Sequence, residues 1–236
     1  MNIMNIKEEH HKLIVLLKNE GKDPGRFPIA KYLGTTHRVY NVPVPILQRL
    51  AKDWAKTHEL ISQETLVSLV DALFFGESRE EKKMASLLLE KFPRYICVLE
   101  SQTIDRWMSE LTGWEEVDSF CDEIDVWLRA GSSTRVSLLK KWNKKKQIEK
   151  RRASLVVLCS SVRFDPNERF VNLAFQYIDT LKSESHVMIT KAISWLLRSL
   201  IKYHKTKVAR YLKENASSLP RIAVREVTKK LETGKK

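Results

Sequence analysis

The sequence predicts an all-helical protein, and three observations carry that expectation. Only 7 glycines interrupt 236 residues. No convincing run alternates apolar and polar residues with the period of two that marks a half-buried strand. Apolar residues instead recur at the three- and four-residue spacings that line one face of a helix.

The elements follow in chain order. Leu13, Leu16 and Leu17 give the first helix its apolar face, and a loop at Gly21 to Pro28 ends it. Pro43 and Pro45 lack the N–H that a first helical turn leaves unused, so they lead into a helix carrying Ile46, Leu47, Leu50, Ala51 and Trp54. Ser78 and Glu81 have the spacing of a capping box ahead of Met84, Leu87, Leu88 and Leu89. Asp165-Pro166 with Glu168 reads as an N-cap, a proline at N1 and an acid in the first turn, before Phe170, Leu173, Ala174 and Tyr177. Ser218 with Pro220 opens the last helix. With the intervening periodic segments this makes about twelve helices, and their short connections favour antiparallel neighbours. Hairpins of roughly 35–45 residues stacked side by side form an α-solenoid of the HEAT type. The expectation is one such domain over residues 1–236, resting on element order rather than on a legible repeat consensus.

Composition narrows the function classes. Hydrophobic residues make up 43% and charged residues 30%, which suits a packed globular core and not a disordered chain. No apolar run approaches the roughly 18 residues of a membrane span. Glu8, Glu9 and two histidines precede the first apolar stretch, unlike a signal peptide, so a cytoplasmic location is expected. Cys97, Cys121 and Cys159 sit in apolar helical contexts without a CxxC, which reads as small buried thiols. His10 and His11 point to different helix faces, so no metal site is expected there.

Charge is distributed unevenly. Residues 1–128 hold 16 Lys and Arg against 21 Asp and Glu, a net of −5, whereas residues 129–236 hold 26 against 8, a net of +18. A sustained excess of this size predicts a polyanion-binding surface built by the C-terminal part, and on a solenoid that surface becomes a concave basic cleft. A solvated basic surface without a partner is the plainer alternative.

Three stretches add chemistry. In Thr112-Gly113-Trp114-Glu115-Glu116-Val117-Asp118-Ser119-Phe120, Gly113 breaks the preceding helix and puts Trp114 and Asp118 four apart on one face of the next. In Lys150-Arg151-Arg152-Ala153-Ser154, two arginines open a strongly apolar helix. In Ile189-Thr190-Lys191-Ala192-Ile193-Ser194-Trp195-Leu196-Leu197-Arg198, residues Lys191, Trp195, Arg198 and Lys202 fall at i, i+4, i+7 and i+11, one helical stripe with an indole among cations. Such a stripe suits a phosphate backbone with a sugar or base against the indole. Each stretch also has a structural explanation. Helical tryptophans are commonly core, as assigned here to Trp54, Trp107, Trp127 and Trp142; Asp118 lies in an acidic helix; Arg151 and Arg152 could be solvated.

Taken together, these stretches resemble the AlkD-type DNA alkylation repair enzymes, glycosylases with HEAT-like repeats. In that family a Trp-Asp-x-Val-Asp segment, a helix opening with Arg, and a Lys-Ala-Ile-Gly-Trp-x-Leu-Arg helix build the active cleft. The matching residues are Trp114 and Asp118, Arg152, and Trp195 with Lys191 and Arg198. Ala30-Lys31-Tyr32 followed by Val44-Pro45 is similar to the family's opening, which puts Tyr32 in the cleft lining. The resemblance runs from about residue 10 to residue 230. Glu115 stands where an aspartate is common, Ser194 where glycine precedes the tryptophan, and Val187 and Met188 where some members carry aromatic residues.

The resemblance implies a monofunctional glycosylase that releases cationic alkylated purines (the 3-methyladenine and 7-methylguanine type) from double-stranded DNA. The family works without flipping the base and without metal or organic cofactor. It implies Asp118, Trp114 and Trp195 as catalytic, with Arg152, Arg151, Lys191, Arg198, Lys202 and Tyr32 on the DNA. A monomer is the default, associated with the nucleoid when bound to DNA. Two rivals remain: a non-catalytic HEAT-repeat protein that binds damaged or branched DNA, and a HEAT-type adaptor for an acidic protein or peptide.

Overall fold

The computed structural model describes residues 4–23, 25–131 and 133–235. It contains thirteen helices among the described residues: α1 (Ile6–Asn19), α2 (Ile29–Leu33), α3 (Val44–Thr57), α4 (Gln63–Phe74), α5 (Arg79–Lys91), α6 (Pro93–Ile96), α7 (Ser101–Ser109), α8 (Gly113–Arg129), α9 (Ser133–Asn143), α10 (Ile148–Phe164), α11 (Glu168–Leu181), α12 (Val187–Asn215) and α13 (Arg221–Thr233). No strand is present among these residues; a single isolated bridge joins Arg38 and Ser78. The fold is all-α and HEAT-like, as the sequence predicts. No described helix is long and apolar enough to cross a membrane.

The chain divides into two compact units, Met1–Trp127 and Leu128–Lys236. In the first, α5 packs against α1, α3, α4 and α6. Its opening sequence Arg-Glu-Glu-Lys-Lys would suit a solvated face, yet Arg79, Glu80, Glu81 and Lys82 are all buried. Each is held by a polar partner. The Glu80 carboxylate accepts from the backbone N–H of Tyr40 (2.9 Å) and Val42 (3.3 Å). Glu81 closes the expected capping box with Ser78 and also meets His10 Nε2 at 2.8 Å. Lys82 donates to the Gly76 carbonyl. Burial disfavours the charge on Lys82 and lowers its pKa, although Glu116, Glu81 and Glu110 oppose that shift. Segment 38–42 is thereby fixed on the start of α5.

In the second unit α10 is central, packing against α9, α11 and α12, while α12 also carries α13. Twelve α10 residues are buried, around its whole circumference, which is the mark of a helix enclosed by neighbours. α12 leaves helical geometry at His204 (φ −129°, ψ 37°), so it is two helices meeting at a kink. Lys191, Trp195, Arg198 and Lys202 all precede that break, in one regular stretch.

Two caps differ from the sequence expectation. Asn167, not Asp165, caps α11 by accepting from Arg169 N–H, and Asp165 instead accepts from Asn167 N–H at 2.9 Å. Pro166 therefore lies outside the helix. At α13 the N-cap is Pro220, with no side-chain cap, and Ser218 bonds back to the Asn215 carbonyl. Trp54, Trp107, Trp127 and Trp142 are core residues as expected. Of the cysteines, Cys121 and Cys159 are buried and Cys97 is half-buried.

Candidate functional site

In the first unit the candidate residues are set by a close backbone approach. α2 ends in Gly34 (φ 72°) and α8 begins with Gly113 (φ 73°), both in the left-handed region that side chains disfavour. A Cβ on Gly113 would stand 2.4 Å from the Leu33 carbonyl oxygen and 2.6 Å from the Gly34 carbonyl carbon. Only glycine lets the two helix ends meet so closely. Gly113 is thus the first residue of α8 rather than a breaker of α7, which ends at Ser109.

That approach orients the aromatic residues. Trp114 Nε1 donates to the Tyr32 carbonyl at 2.8 Å. The Tyr32 ring meets the indole edge-on with centroids 5.7 Å apart, and Phe27 lies 5.5 Å beyond Tyr32. Tyr32 is 60% exposed and Phe27 is also exposed, so the trio offers aromatic surface to a ligand. Asp118 lies one turn along α8 from Trp114, half-buried, on the same side of the helix. The sequence reading included Tyr32 but missed Phe27, whose signal was an aromatic residue in a proline-bounded loop.

A buried polar network holds the α8 start in place. Glu116, 2% exposed, accepts from Thr35 Oγ1 (2.5 Å) and Thr112 N–H (2.9 Å), and bonds His37 Nδ1 at 3.0 Å. Glu115 is bound by Arg79 Nε at 2.8 Å and faces Lys83 Nζ at 3.5 Å. Burial works against the Arg79 charge, but the carboxylates of Glu115 and Glu80 outweigh it and raise its pKa above the ordinary value. Glu115 thus serves an ion-pair network rather than the exposed face.

In the second unit, Arg152 is only 5% exposed, and its Nη1 donates to the Met188 carbonyl at the start of α12. Arg151 donates through Nη1 to the Lys145 and Lys146 carbonyls and pairs through Nε with Glu184 at 2.8 Å. Both arginines are therefore built into the packing of α10 with the segments before and after it. Lys191 is exposed. Further along the stripe, Trp195, Arg198 and Lys202 line a cavity of about 600 Å³ together with Arg163, Phe164, Ser199, Ile201, Lys230 and Gly234. Arg198 is steered by Ser194 and Glu226: Nε donates to the Ser194 carbonyl (3.2 Å), and Nη2 lies 3.4 Å from Glu226. The Ser194 hydroxyl in turn donates to Glu226 at 2.5 Å. Lys202 Nζ donates to the Arg163 carbonyl at 2.9 Å, near the C-terminus of α10. Phe164, Lys230 and Glu226 were missed from sequence, since nothing local marks a residue that a distant helix brings to the stripe.

Among the described residues, no group of three His, Cys, Asp or Glu is placed to hold a metal ion. The arrangement can present a carboxylate beside aromatic surface in one unit, and cations around an indole in the other.

Comparison with known proteins gives a consistent result. The model of a family described as DNA alkylation repair enzyme matches residues 16–231. A solved structure described as a predicted DNA alkylation repair enzyme from Enterococcus faecalis superposes with a TM-score of 0.71 at 20% identity, covering 87% of this chain and 93% of that one. AlkD2 from Streptococcus mutans gives 0.62 at 14% identity, covering 97% and 98%. A third structure gives 0.69 at 15% identity, covering 98% and 95%; it comes from a protein family related to the HEAT-like repeat DNA glycosylases with affinity for branched DNA structures. No curated protein sequence matches this chain.

Proposed function

The chain belongs to the DNA alkylation repair enzyme family, and we propose from that membership that it is a monofunctional glycosylase acting on cationic alkylated purines of the 3-methyladenine and 7-methylguanine type in duplex DNA. The observation that carries the reading is Asp118, a half-buried carboxylate one helical turn from Trp114, whose indole is held by the Tyr32 carbonyl. Phosphate binding by itself does not call for a carboxylate beside that aromatic surface.

An alkylated purine is positively charged, so its glycosidic bond breaks without a strong acid to protonate the leaving base. Cleavage leaves the electron pair on the purine nitrogen and a cationic sugar at C1′. Water adds to C1′ and releases a proton. Asp118 stabilises that cation and orients the water, and the face of Trp114 favours the positive sugar. Lys191, Arg198 and Lys202 hold phosphates. Arg152 and Arg151 support them indirectly, by fixing the start of α12 and the 145–146 turn. The base stays stacked, the protein acts as a monomer at the nucleoid, and no cofactor takes part.

The test is release of free 7-methylguanine from methylated duplex DNA. The native protein is expected to release it well above spontaneous depurination, and Asp118→Asn to lose about 100-fold or more of that rate with DNA affinity retained. Tight binding without release would replace this reading with a second one, a non-catalytic protein for damaged or branched DNA.

A further inference from the structure

The first unit is acidic, with a net of −5 over residues 1–128, yet four of its cations gather at one place. Lys52 and Lys56 of α3, Lys91 of α5 and Arg94 of α6 line a groove of about 410 Å³, against one lining carboxylate, Glu59. Ala55, Phe92 and Pro93 supply its apolar floor. We propose that this groove holds a stretch of the DNA phosphodiester backbone, with phosphates on Lys52, Lys56 and Arg94. The inference rests on the proposed action on DNA, and it adds a second DNA contact, in the unit whose overall charge repels that ligand.

Local structure does not account for the cluster. Lys56 and Lys91 stand in the last turns of α3 and α5, where a cation suits the carbonyl end of a helix. Lys52 stands a turn earlier, beyond the reach of that field, and four residues before Lys56. Like charges at that spacing destabilise a helix, a cost that a bound anion relieves. Both lysines are exposed, and neither pairs with a carboxylate among the described residues. Lys91 is shared with Glu90 at 3.1 Å, so it adds to the field more than to the contact. Arg94 is held in place: its guanidinium lies 4.7 Å over the Tyr95 ring, and Nη2 donates to the Tyr95 hydroxyl (3.1 Å) and the Glu59 carbonyl (3.4 Å). Nε and Nη1 are left for a phosphate. The Glu59 side chain is exposed and can turn into water.

The floor selects a nucleic-acid backbone over an acidic peptide. Phe92 is 6% exposed, edge-on to Trp54 at 6.4 Å and parallel to Tyr95 at 6.1 Å. It opens no pocket for the anchoring side chain that a bound peptide uses. A deoxyribose between two phosphates needs only a smooth apolar surface. α5 relates this groove to the residues proposed for chemistry. Its first residue, Arg79, bonds Glu115 beside Trp114, and its last, Lys91, lines the groove, roughly 18 Å away at about 1.5 Å per residue. A strand advances about 3.4 Å per nucleotide, so the groove meets backbone about five nucleotides from the lesion.

The test is anisotropy with labelled duplexes of about 9 and about 25 base pairs around a central 7-methylguanine, of which only the longer reaches the groove. Lys52→Ala/Lys56→Ala is expected to weaken binding of the longer duplex about tenfold and to lower its salt slope by about 0.9 per lysine. Affinity for the short duplex, and the rate of 7-methylguanine release at saturating protein, should stay unchanged. Lys7→Ala, on an exposed lysine of α1, controls for overall charge and should leave both affinities as they are. Unchanged affinity for the longer duplex, equal losses on the two duplexes, or the same loss in Lys7→Ala overturns the proposal and leaves the glycosylase reading standing. Binding of a labelled oligoglutamate peptide that the double variant loses, with duplex affinity intact, overturns the DNA source and assigns the groove to an acidic peptide. The expected length-dependent loss without any base release supports the groove and overturns the glycosylase reading alone. Failure of the native protein to bind either duplex overturns both.

Discussion

The two units prepare their candidate residues in different ways. In the first, the placement of Trp114 depends on tertiary detail: two glycines in left-handed geometry, a carbonyl that fixes the indole, and the buried Glu116 network. In the second, Lys191, Trp195, Arg198 and Lys202 share a face because they fall at helical spacing on α12, ahead of its kink at His204. The first site should therefore fail sharply when one contact is removed, and the second should weaken by increments. The difference suits the proposed tasks, since chemistry depends on fixed geometry, whereas binding to a phosphate backbone is a sum of similar terms.

The largest expected effect tests the first half of that contrast. Gly113→Ala puts a methyl group 2.4 Å from the Leu33 carbonyl oxygen and forces alanine to a φ of 73°. Overpacking and backbone strain together should cost about 2–4 kcal/mol. For a chain of this size that lowers Tm by roughly 5–15 °C. Gly34→Ala is the control: its Cβ meets Gly113 at an ordinary 3.4 Å, leaving only the strain of φ 72°. Its cost should be about 1 kcal/mol. Equal melting shifts for the two variants would show that close approach is not what sets the α2–α8 contact.

The second unit should respond by degrees. Lys191→Ala and Lys202→Ala are each expected to weaken duplex binding a few-fold and to reduce the slope of log affinity against log salt by about 0.9, additively in the double variant. A collapse of binding in either single variant would mean that the stripe works as a cooperative site after all.

The same contrast governs how much the sequence revealed. Local signals were legible: the Ser78–Glu81 capping box, the tryptophans of the core and the α12 stripe all depend on spacing within one helix. Competing local signals were misread. In Asp165-Pro166-Asn167, the asparagine closer to the helix takes the cap and the aspartate turns to bond Asn167 itself. Non-local facts left no trace. Arg152 looks solvent-ready until the Met188 carbonyl is placed beside it, and the charged opening of α5 looks exposed until segment 38–42, His10 and Glu115 close over it. The break at His204 has neither glycine nor proline to announce it.

A smaller effect sharpens the comparison through charge. The acidic first unit crowds carboxylates, and Glu123 on α8 shows the result: burial, then the charges of Glu90 and Asp122, push its pKa up to about 8 despite Lys83 and Lys91. The folded protein thus keeps a proton that the unfolded chain releases near its ordinary pKa of about 4.3. Stability from this group is greatest at low pH, falls as pH rises, and is lost once pH passes 8. Glu123→Gln, which cannot ionise, should melt a few degrees above the native protein at pH 8.5, and the gap should close towards pH 4.5. A constant gap across that range would mean that Glu123 affects stability by packing and not by its proton.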